Sequence, residues 1–206
     1  DRYTEDEVIQ ASGIQLGANL FLLNKYEAAR GLAEQRPYID IEDIWIRREL
    51  PDTLLIDVAE CGTPLAVIQD GSAWLVSPKG KIVEQLPASQ AGDYAVIDGC
   101  ELLAPSVGTD IALATEFANQ QTSLLDLLAA LDEAGLTDQV DAIHLEDLSQ
   151  LTMDYAGRFT VEMAYGADYG LSLRILEGAV SQLETNQKGT LRLDPGSTYQ
   201  VLFTEE

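Results

Sequence analysis

The amino-acid sequence predicts an α+β protein, in which a small helix-and-hairpin region precedes a mixed sheet packed with helices. Three observations lead to this prediction. Two helix patterns with N-terminal caps open the chain, near residues 4–13 and 24–35. The stretch 47–68, RRELPDTLLIDVAECGTPLAVI, alternates apolar and polar residues on both sides of a turn at Pro51 and Asp52. Short strand patterns then alternate with two amphipathic helices along the rest of the sequence.

Capping patterns place the two N-terminal helices. Thr4 and Glu7 have the spacing of a capping box, and Gly13 stands where the first helix would end. Asn24 opens a second helix, which Pro37 prevents from continuing. We expect the two helices to bury a common set of side chains, namely Val8, Ile9, Ser12, Ala28, Ala29 and Leu32.

A hairpin of residues 39–48 and 53–60 follows the second helix. A two-stranded hairpin by itself is marginally stable in water, so the first region has the pattern of a sheet that lacks a strand. One more strand just before residue 1 would complete it, and the opening residues DRYTEDE have the character of an interior segment. We expect the domain boundary after this hairpin, which gives domains of residues 1–60 and 61–206.

The second region changes to short strands separated by turns. Predicted strands cover residues 65–69, 73–76, 81–84, 94–97, 142–145, 151–154, 159–163, 189–193 and 198–203. Predicted helices cover residues 112–134 and 170–183, and Thr122 with Ser123 favours a break in the first of them. Its leucine stripe, which is typical of a buried helix face rather than an exposed partner surface, consists of Leu124, Leu127, Leu128 and Leu131.

Charge and hydropathy exclude several classes of function. The 206 residues include 35 acidic and 12 basic side chains, for a net charge of −23. Such a chain repels phosphate backbones and anionic membrane surfaces, so nucleic-acid binding is not expected. No apolar run approaches the roughly 18 residues of a membrane-spanning helix, and these residues show no signal-peptide pattern.

Residues that carry catalysis are sparse. The sequence contains no GxSxG, HExxH, GxxxxGK[ST] or GxGxxG motif. The single histidine, His144, lies between Ile143 and Leu145, and this alternation predicts that the imidazole faces solvent. The adjacent acids Glu146 and Asp147 would point to opposite faces of a strand and would not converge. We therefore expect no enzymatic activity and no cofactor.

Clustered acids and cysteines do not predict a metal site. Asp40, Glu42 and Asp43 lack the glycine turn and the ligand spacing of a calcium loop. Cys61 and Cys100 have no CxxC spacing. One long-range disulfide and two separate thiols both agree with the sequence, and two separate thiols are the simpler interpretation.

The last predicted strand, residues 198–203, is a candidate sheet edge. Edge strands present unpaired N–H and C=O groups, which can accept a strand from a partner. The alternative is an edge that its own charged tail, Thr204-Glu205-Glu206, protects from pairing. Taken alone, the sequence favours the protected edge.

The hairpin region resembles one protein family. Its residues follow the pattern basic-x-x-Pro-x-Thr-φ-x-Ile-x-Val-x-Glu-x-x-Pro-φ-Ala, with φ apolar, which joins the two extracytoplasmic domains of the FtsQ/DivIB bacterial cell-division proteins. The matching positions are Arg48, Pro51, Thr53, Leu54, Ile56, Val58, Glu60, Pro64, Leu65 and Ala66. Upstream, the segments 3–9, 13–21 and 37–39 resemble a POTRA domain, the βααββ module of polypeptide-transport-associated proteins.

The resemblance implies a truncated POTRA domain, lacking its first strand, followed by an FtsQ/DivIB-type β domain. It implies a single-pass membrane protein with this region on the extracytoplasmic side at the division septum. Its function would be that of a non-enzymatic divisome scaffold, which binds FtsB/DivIC-like and FtsL-like coiled-coil proteins and helps control septal peptidoglycan synthesis. In the family the partner adds a strand at the last strand, which implies a contact set of Leu193, Gly196, Thr198, Tyr199, Gln200 and Val201.

A second interpretation keeps the POTRA resemblance but changes the function. POTRA domains also occur in adaptors for polypeptide transport and outer-membrane protein assembly. Tandem POTRA repeats would support that role, and the sequence contains none. The division scaffold is therefore the favoured hypothesis.

Overall fold

The computed structural model describes residues 2–194 and 200–205. It separates into two compact units, Asp1–Gly62 and Thr63–Glu206. Both units combine helices with β-structure, which confirms the predicted α+β class.

The N-terminal unit consists of two helices and a hairpin. These are α1 (Glu5–Ala11), α2 (Lys25–Gln35), β1 (Ile39–Glu49) and β2 (Thr53–Glu60), with β1 and β2 antiparallel. The predicted capping box is present: the Glu7 N–H donates to the Thr4 hydroxyl, and the Thr4 N–H donates to the Glu7 carboxylate at 2.9 Å. The Asn24 side chain accepts from the N–H groups of Tyr26 and Glu27, as expected for the cap of α2.

Small and branched side chains fill the core of this unit. The buried members are Val8, Ala11, Ala28, Ala29, Leu32, Ile39, Ile44 and Ile46. The prediction that Ile9 belongs to the core is wrong, since 51% of it is exposed. The buried face of α1 consists of Val8, Ala11 and Ser12, at i, i+3 and i+4, and Ile9 lies about 100° around the helix from Val8.

Arg48 holds the connection between α1 and α2. Its Nε donates to the Leu20 carbonyl at 2.6 Å, and its Nη2 donates to the Leu23 carbonyl at 2.9 Å. The connection is otherwise poorly buried, because Phe21 and Leu22 are 73% and 83% exposed. The fork of one guanidinium therefore fixes a segment that has few apolar contacts of its own.

Replacing Arg48 by lysine is expected to destabilise the N-terminal unit by about 1 kcal/mol, because a single ammonium cannot reproduce both hydrogen bonds in the same geometry. Denaturant unfolding would measure the change. Arg30→Lys is the matched control, since Arg30 makes only exposed ion pairs with Glu27 and Glu34 on α2. It should change the stability by less than about 0.5 kcal/mol, and an equal effect of both substitutions would contradict the role of the fork.

The C-terminal unit is a large mixed sheet with two helices. Its elements are β3 (Leu65–Gln69), β4 (Ser72–Val76), β5 (Ile82–Pro87), β6 (Val96–Asp98), α3 (Ala118–Ala134), β7 (Val140–His144), β8 (Gln150–Tyr155), β9 (Phe159–Ala164), α4 (Tyr169–Val180), β10 (Gly189–Asp194) and β11 (Gln200–Glu205). In the described part of the unit, nine strands follow the order β11-β10-β9-β8-β7-β6-β3-β4-β5. β6 runs parallel to β3 and β7, β10 runs parallel to β9, and the other pairs are antiparallel.

The core of the C-terminal unit lies between the helices and one face of the sheet. The leucine stripe of α3 is buried as predicted, with Leu124, Leu127 and Leu131 fully inaccessible to solvent. From α4, Leu173 and Leu176 are equally buried. These leucines pack with the inward-facing side chains of the strands into one contiguous cluster.

The first predicted helix of this unit differs in extent from α3. The predicted break at Thr122 and Ser123 is wrong, because the Ser123 hydroxyl is satisfied by accepting the Gly166 N–H at 3.0 Å. The predicted start at residue 112 is also wrong. The Gln121 side chain accepts the Leu113 N–H at 2.9 Å and donates to the Ile111 carbonyl at 3.2 Å, which holds this segment outside the helix.

Among the described residues, no helix is both long and apolar enough to cross a membrane.

Candidate partner-binding edge

The strand β11 lies at one edge of the nine-stranded sheet. In the described part of the chain it pairs only with β10, in an antiparallel register that includes Leu193 opposite Val201 and Leu191 opposite Phe203. The opposite edge of the sheet is β5. The sequence predicted that the last strand is an edge, and the sheet order places it there.

The pairing of β10 determines which backbone groups of β11 face outward. The Gly189 N–H donates to the Arg158 carbonyl at 3.2 Å, on the side of β9. Because alternate residues of a strand point their backbone groups to the same side, Leu191 and Leu193 also face β9, and Thr190 and Arg192 face β11.

The same alternation applies to β11. Its residues opposite Thr190 and Arg192, which are Thr204 and Leu202, turn their backbone groups toward β10. The intervening residues Val201, Phe203 and Glu205 therefore direct their N–H and C=O groups away from β10. This outward row is the set of groups that an added strand would bind.

The side chains of β11 divide between the two faces of the sheet. Val201 and Phe203 pack against the core cluster, and the Phe203 ring meets the Phe159 ring edge to face, with centroids 6.3 Å apart. Leu202 points to the other face and is 58% exposed. The side chains of Val201 and Phe203 anchor β11 to the core. Packing therefore holds the edge strand in place together with its hydrogen bonds to β10.

A shallow groove of about 410 Å³ runs between α4 and β11. Its apolar walls include Ile175, Gly178, Ala179, Leu183, Val201 and Phe203. Gly178 has no side chain and Ala179 has a small one, so α4 leaves room beside β11 at these positions. A strand added along β11 would place alternate side chains over this groove.

Arg158 supports the start of β10. Its Nη1 donates to the carbonyls of Glu184 and Thr185, at 3.2 and 2.9 Å, and its guanidinium lies 4.6 Å from the Phe159 ring centroid. These contacts tie the connection after α4 to β9. They hold in place the strand on which β11 is built.

The structure places the predicted contact residues unevenly. Leu193 is buried in β10, and Val201 is half-buried in β11. Gln200 begins β11, and Gly196, Thr198 and Tyr199 lie outside the described residues. A role of these six residues in binding stays a prediction. The predicted contact set contains neither Phe203 nor any residue of α4, although the resemblance implied a site on the last strand beside the last helix.

The structure also locates the cysteines and acidic residues that the sequence analysis considered. Cys61 and Cys100 are two separate thiols, as the simpler interpretation of the sequence predicted. Burial, together with the nearby Asp98 carboxylate, raises the pKa of Cys100 to about 11, so this thiol is protonated near neutral pH. Among the described residues, no group of His, Cys, Asp and Glu side chains has an arrangement that could hold a metal ion.

His144 differs from its prediction. Its imidazole does lie on the face opposite the helices, but only a quarter of the side chain is exposed, because Asp98 and Asp154 flank the ring. Ile143 and Leu145 are fully buried, as the alternation indicated.

Residues 1–60 match the family model described as "POTRA domain, FtsQ-type". The chain carries an FtsQ-type POTRA domain. This match covers the N-terminal unit and agrees with the resemblance to the FtsQ/DivIB family found in the sequence. An FtsQ-type POTRA domain favours a role as a cell-division scaffold.

Among solved structures, the chain is similar to the major extracytoplasmic domain of the trans isomer of the cell-division protein DivIB from Geobacillus stearothermophilus. The sequences are 12% identical, the similarity covers 62% of this chain and 98% of the DivIB domain, and the TM-score is 0.34. No curated protein matches the chain.

Proposed function

We propose that this protein is an extracytoplasmic divisome scaffold of the FtsQ/DivIB type, which binds FtsB/DivIC-like and FtsL-like coiled-coil proteins by strand addition along β11. Through these partners it helps control septal peptidoglycan synthesis, and the full-length protein is held in the cell membrane by a single spanning segment. The observation that carries the proposal is the outward row of Val201, Phe203 and Glu205 at the sheet edge. The proposed contact set keeps Leu193, Gly196, Thr198, Tyr199, Gln200 and Val201.

Charge supports a protein partner over a nucleic acid. The net charge of −23 disfavours phosphate backbones. The groove beside β11 is apolar, so an added strand that alternates apolar and polar residues would bury its apolar face there. The ladder would supply affinity, and the groove would supply selectivity for side chains.

Proline at Val201 tests the proposed strand addition. It removes an outward N–H and leaves the ladder with β10 intact, so Val201→Pro should fold and lose about tenfold or more in affinity for an FtsB/DivIC-like ectodomain. Titration of the partner, with circular dichroism to confirm folding, would measure both. A folded Val201→Pro variant that binds like the parent would contradict addition along β11.

Two further variants separate the backbone from the side chain. Val201→Ala keeps the N–H and shortens the side chain, so it should lose much less affinity than Val201→Pro. Leu202→Pro removes a backbone N–H that faces β10, so it should weaken the pairing of β10 with β11 and destabilise β11 itself. Equal loss of binding in Val201→Ala and Val201→Pro would assign the contact to the side chain and overturn the strand mechanism.

A further inference from the structure

His144 connects three strands on the face of the sheet opposite the helices. Its Nδ1 lies 2.7 Å from Asp98 Oδ1, at the end of β6, and its Nε2 lies 3.2 Å from Asp154 Oδ2, in β8. Ionised carboxylates only accept hydrogen bonds, so both ring nitrogens are placed to donate. The arrangement is complementary to the imidazolium ion and leaves the neutral ring with one donor too few.

The charged surroundings of the ring come from two neighbouring strands. Asp98 faces it from β6 and Asp154 from β8, and the other oxygen of Asp154 accepts from the Thr160 hydroxyl at 3.0 Å. In the same row of the sheet, beyond Thr152, Glu162 of β9 pairs with Arg192 of β10 at 3.8 Å. Along its own strand, Glu146 lies past the end of β7 and is exposed.

Burial by itself lowers the pKa of His144. The hydrogen bonds to Asp98 and Asp154, together with the charges of these carboxylates, outweigh burial and raise the pKa above its ordinary value of 6.5. The imidazolium is therefore stabilised by folding.

β6 is the shortest strand of the described sheet. It has three residues, and it pairs with β3 at two positions and with β7 at three, in both cases parallel. In the sheet order it is the one strand that joins β3-β4-β5 to β7 and the strands beyond it. Its end is also tied by the Leu145 N–H, which donates to the Asp98 carbonyl at 3.0 Å.

We propose that His144 is a pH-dependent clamp on the seam between β6 and β7. In its charged form it bonds to the side chains of Asp98 and Asp154 and holds β6 against the larger half of the sheet. In its neutral form it gives up one of these bonds, and the two carboxylates repel each other without a cation between them. The seam then opens more often, while the cores on either side remain packed.

The sign of the pH dependence follows from the raised pKa. A group whose pKa is higher in the folded than in the unfolded state contributes its stabilisation fully below the unfolded value, near 6.5. The contribution is lost as the pH rises through the folded value. The clamp is therefore closed below pH 6.5 and opens as the pH rises through the raised pKa of His144 in the folded state.

Two measurements on the folded chain test the clamp. Because His144 is the single histidine, its proton resonances titrate without ambiguity, and their midpoint should lie above 6.5 and fall in Asp98→Asn and Asp154→Asn. Amide exchange in β6, corrected for the intrinsic effect of pH, should lose about tenfold in protection as the imidazole deprotonates. In His144→Gln, the amides of β6 should have at every pH the low protection that the parent shows after its imidazole is deprotonated.

Asp141→Asn is the matched control, since Asp141 lies on the same strand and accepts from the Gly157 N–H rather than from His144. It should leave the titration midpoint and the pH profile of β6 unchanged. The clamp is overturned by a midpoint at or below 6.5, or by a β6 profile that is the same in the parent and in His144→Gln. Neither result bears on strand addition at β11.

Discussion

Replacement of Gly189 by alanine is expected to lower the free energy of unfolding of the C-terminal unit by about 2–5 kcal/mol. Gly189 begins β10 with φ +150, a conformation that side chains rarely adopt. A Cβ at this position would overlap the Thr204 carbonyl oxygen and lie 3.0 Å from Glu205 Cα. Both neighbours are backbone of β11, so relief requires the two strands to separate at this end.

The functional consequence follows from the same geometry. If β11 is displaced near Thr204 and Glu205, the outward row loses its alignment, and partner affinity should fall together with stability. Denaturant unfolding and partner titration on one set of variants would measure both effects.

Gly166→Ala is the control that separates backbone strain from overlap. Gly166 also has a positive φ, +72, but no heavy atom lies within 4 Å of the position of an added Cβ. It should cost only about 1–2 kcal/mol of conformational strain and should leave partner binding intact. If Gly189→Ala and Gly166→Ala are equally stable, the close approach of β10 and β11 is not a constraint.

The N-terminal unit should lose about 2–5 kcal/mol of stability when Leu32 is replaced by alanine. Leu32 is fully buried at the centre of a core that consists of small side chains and three isoleucines. The flanking Ala28 and Ala29 offer little side chain to fill the space that a truncated Leu32 would leave. A unit of this size has a small margin of stability, so the change should unfold much of it at moderate denaturant.

Trp45, which lies in β1, would report unfolding of this unit in a Trp74→Phe background. Leu22→Ala makes the same chemical change in the same unit, at a side chain that is 83% exposed. It should alter the stability by less than about 0.5 kcal/mol. Similar unfolding midpoints for Leu32→Ala and Leu22→Ala would contradict the assignment of Leu32 to the core.

Local signals in the sequence predicted most of the elements. Thr4 and Asn24 cap the first two helices because their side chains bond to N–H groups within three residues, which makes these signals readable without the fold. The leucine stripe of α3 is equally local, since its period reflects only the helix geometry. The resemblance at residues 48–66 was also readable, because the motif lies in consecutive residues.

The errors occurred where a distant residue decides the structure. Ile9 is as apolar as Val8, and only the position of the neighbouring elements leaves it exposed. The sequence around Ser123 predicts a helix break. In the structure, the N–H of Gly166, 43 residues later, donates to the Ser123 hydroxyl, and the helix continues. Alternation put His144 on the open face of the sheet but carried no sign of Asp98, 46 residues earlier in the chain.

Some features of the candidate site were also predictable from local sequence, and others required the tertiary structure. Residue order and alternation were enough to predict a final strand, to suspect a sheet edge and to find the family resemblance through the joint motif, because these features are periodic or contiguous. The direction of the Val201 and Phe203 amides required the register of β9, β10 and β11, and the groove required α4 to lie beside them. Hydrogen-bond direction and packing depend on pairs of residues far apart in sequence, which no local pattern records.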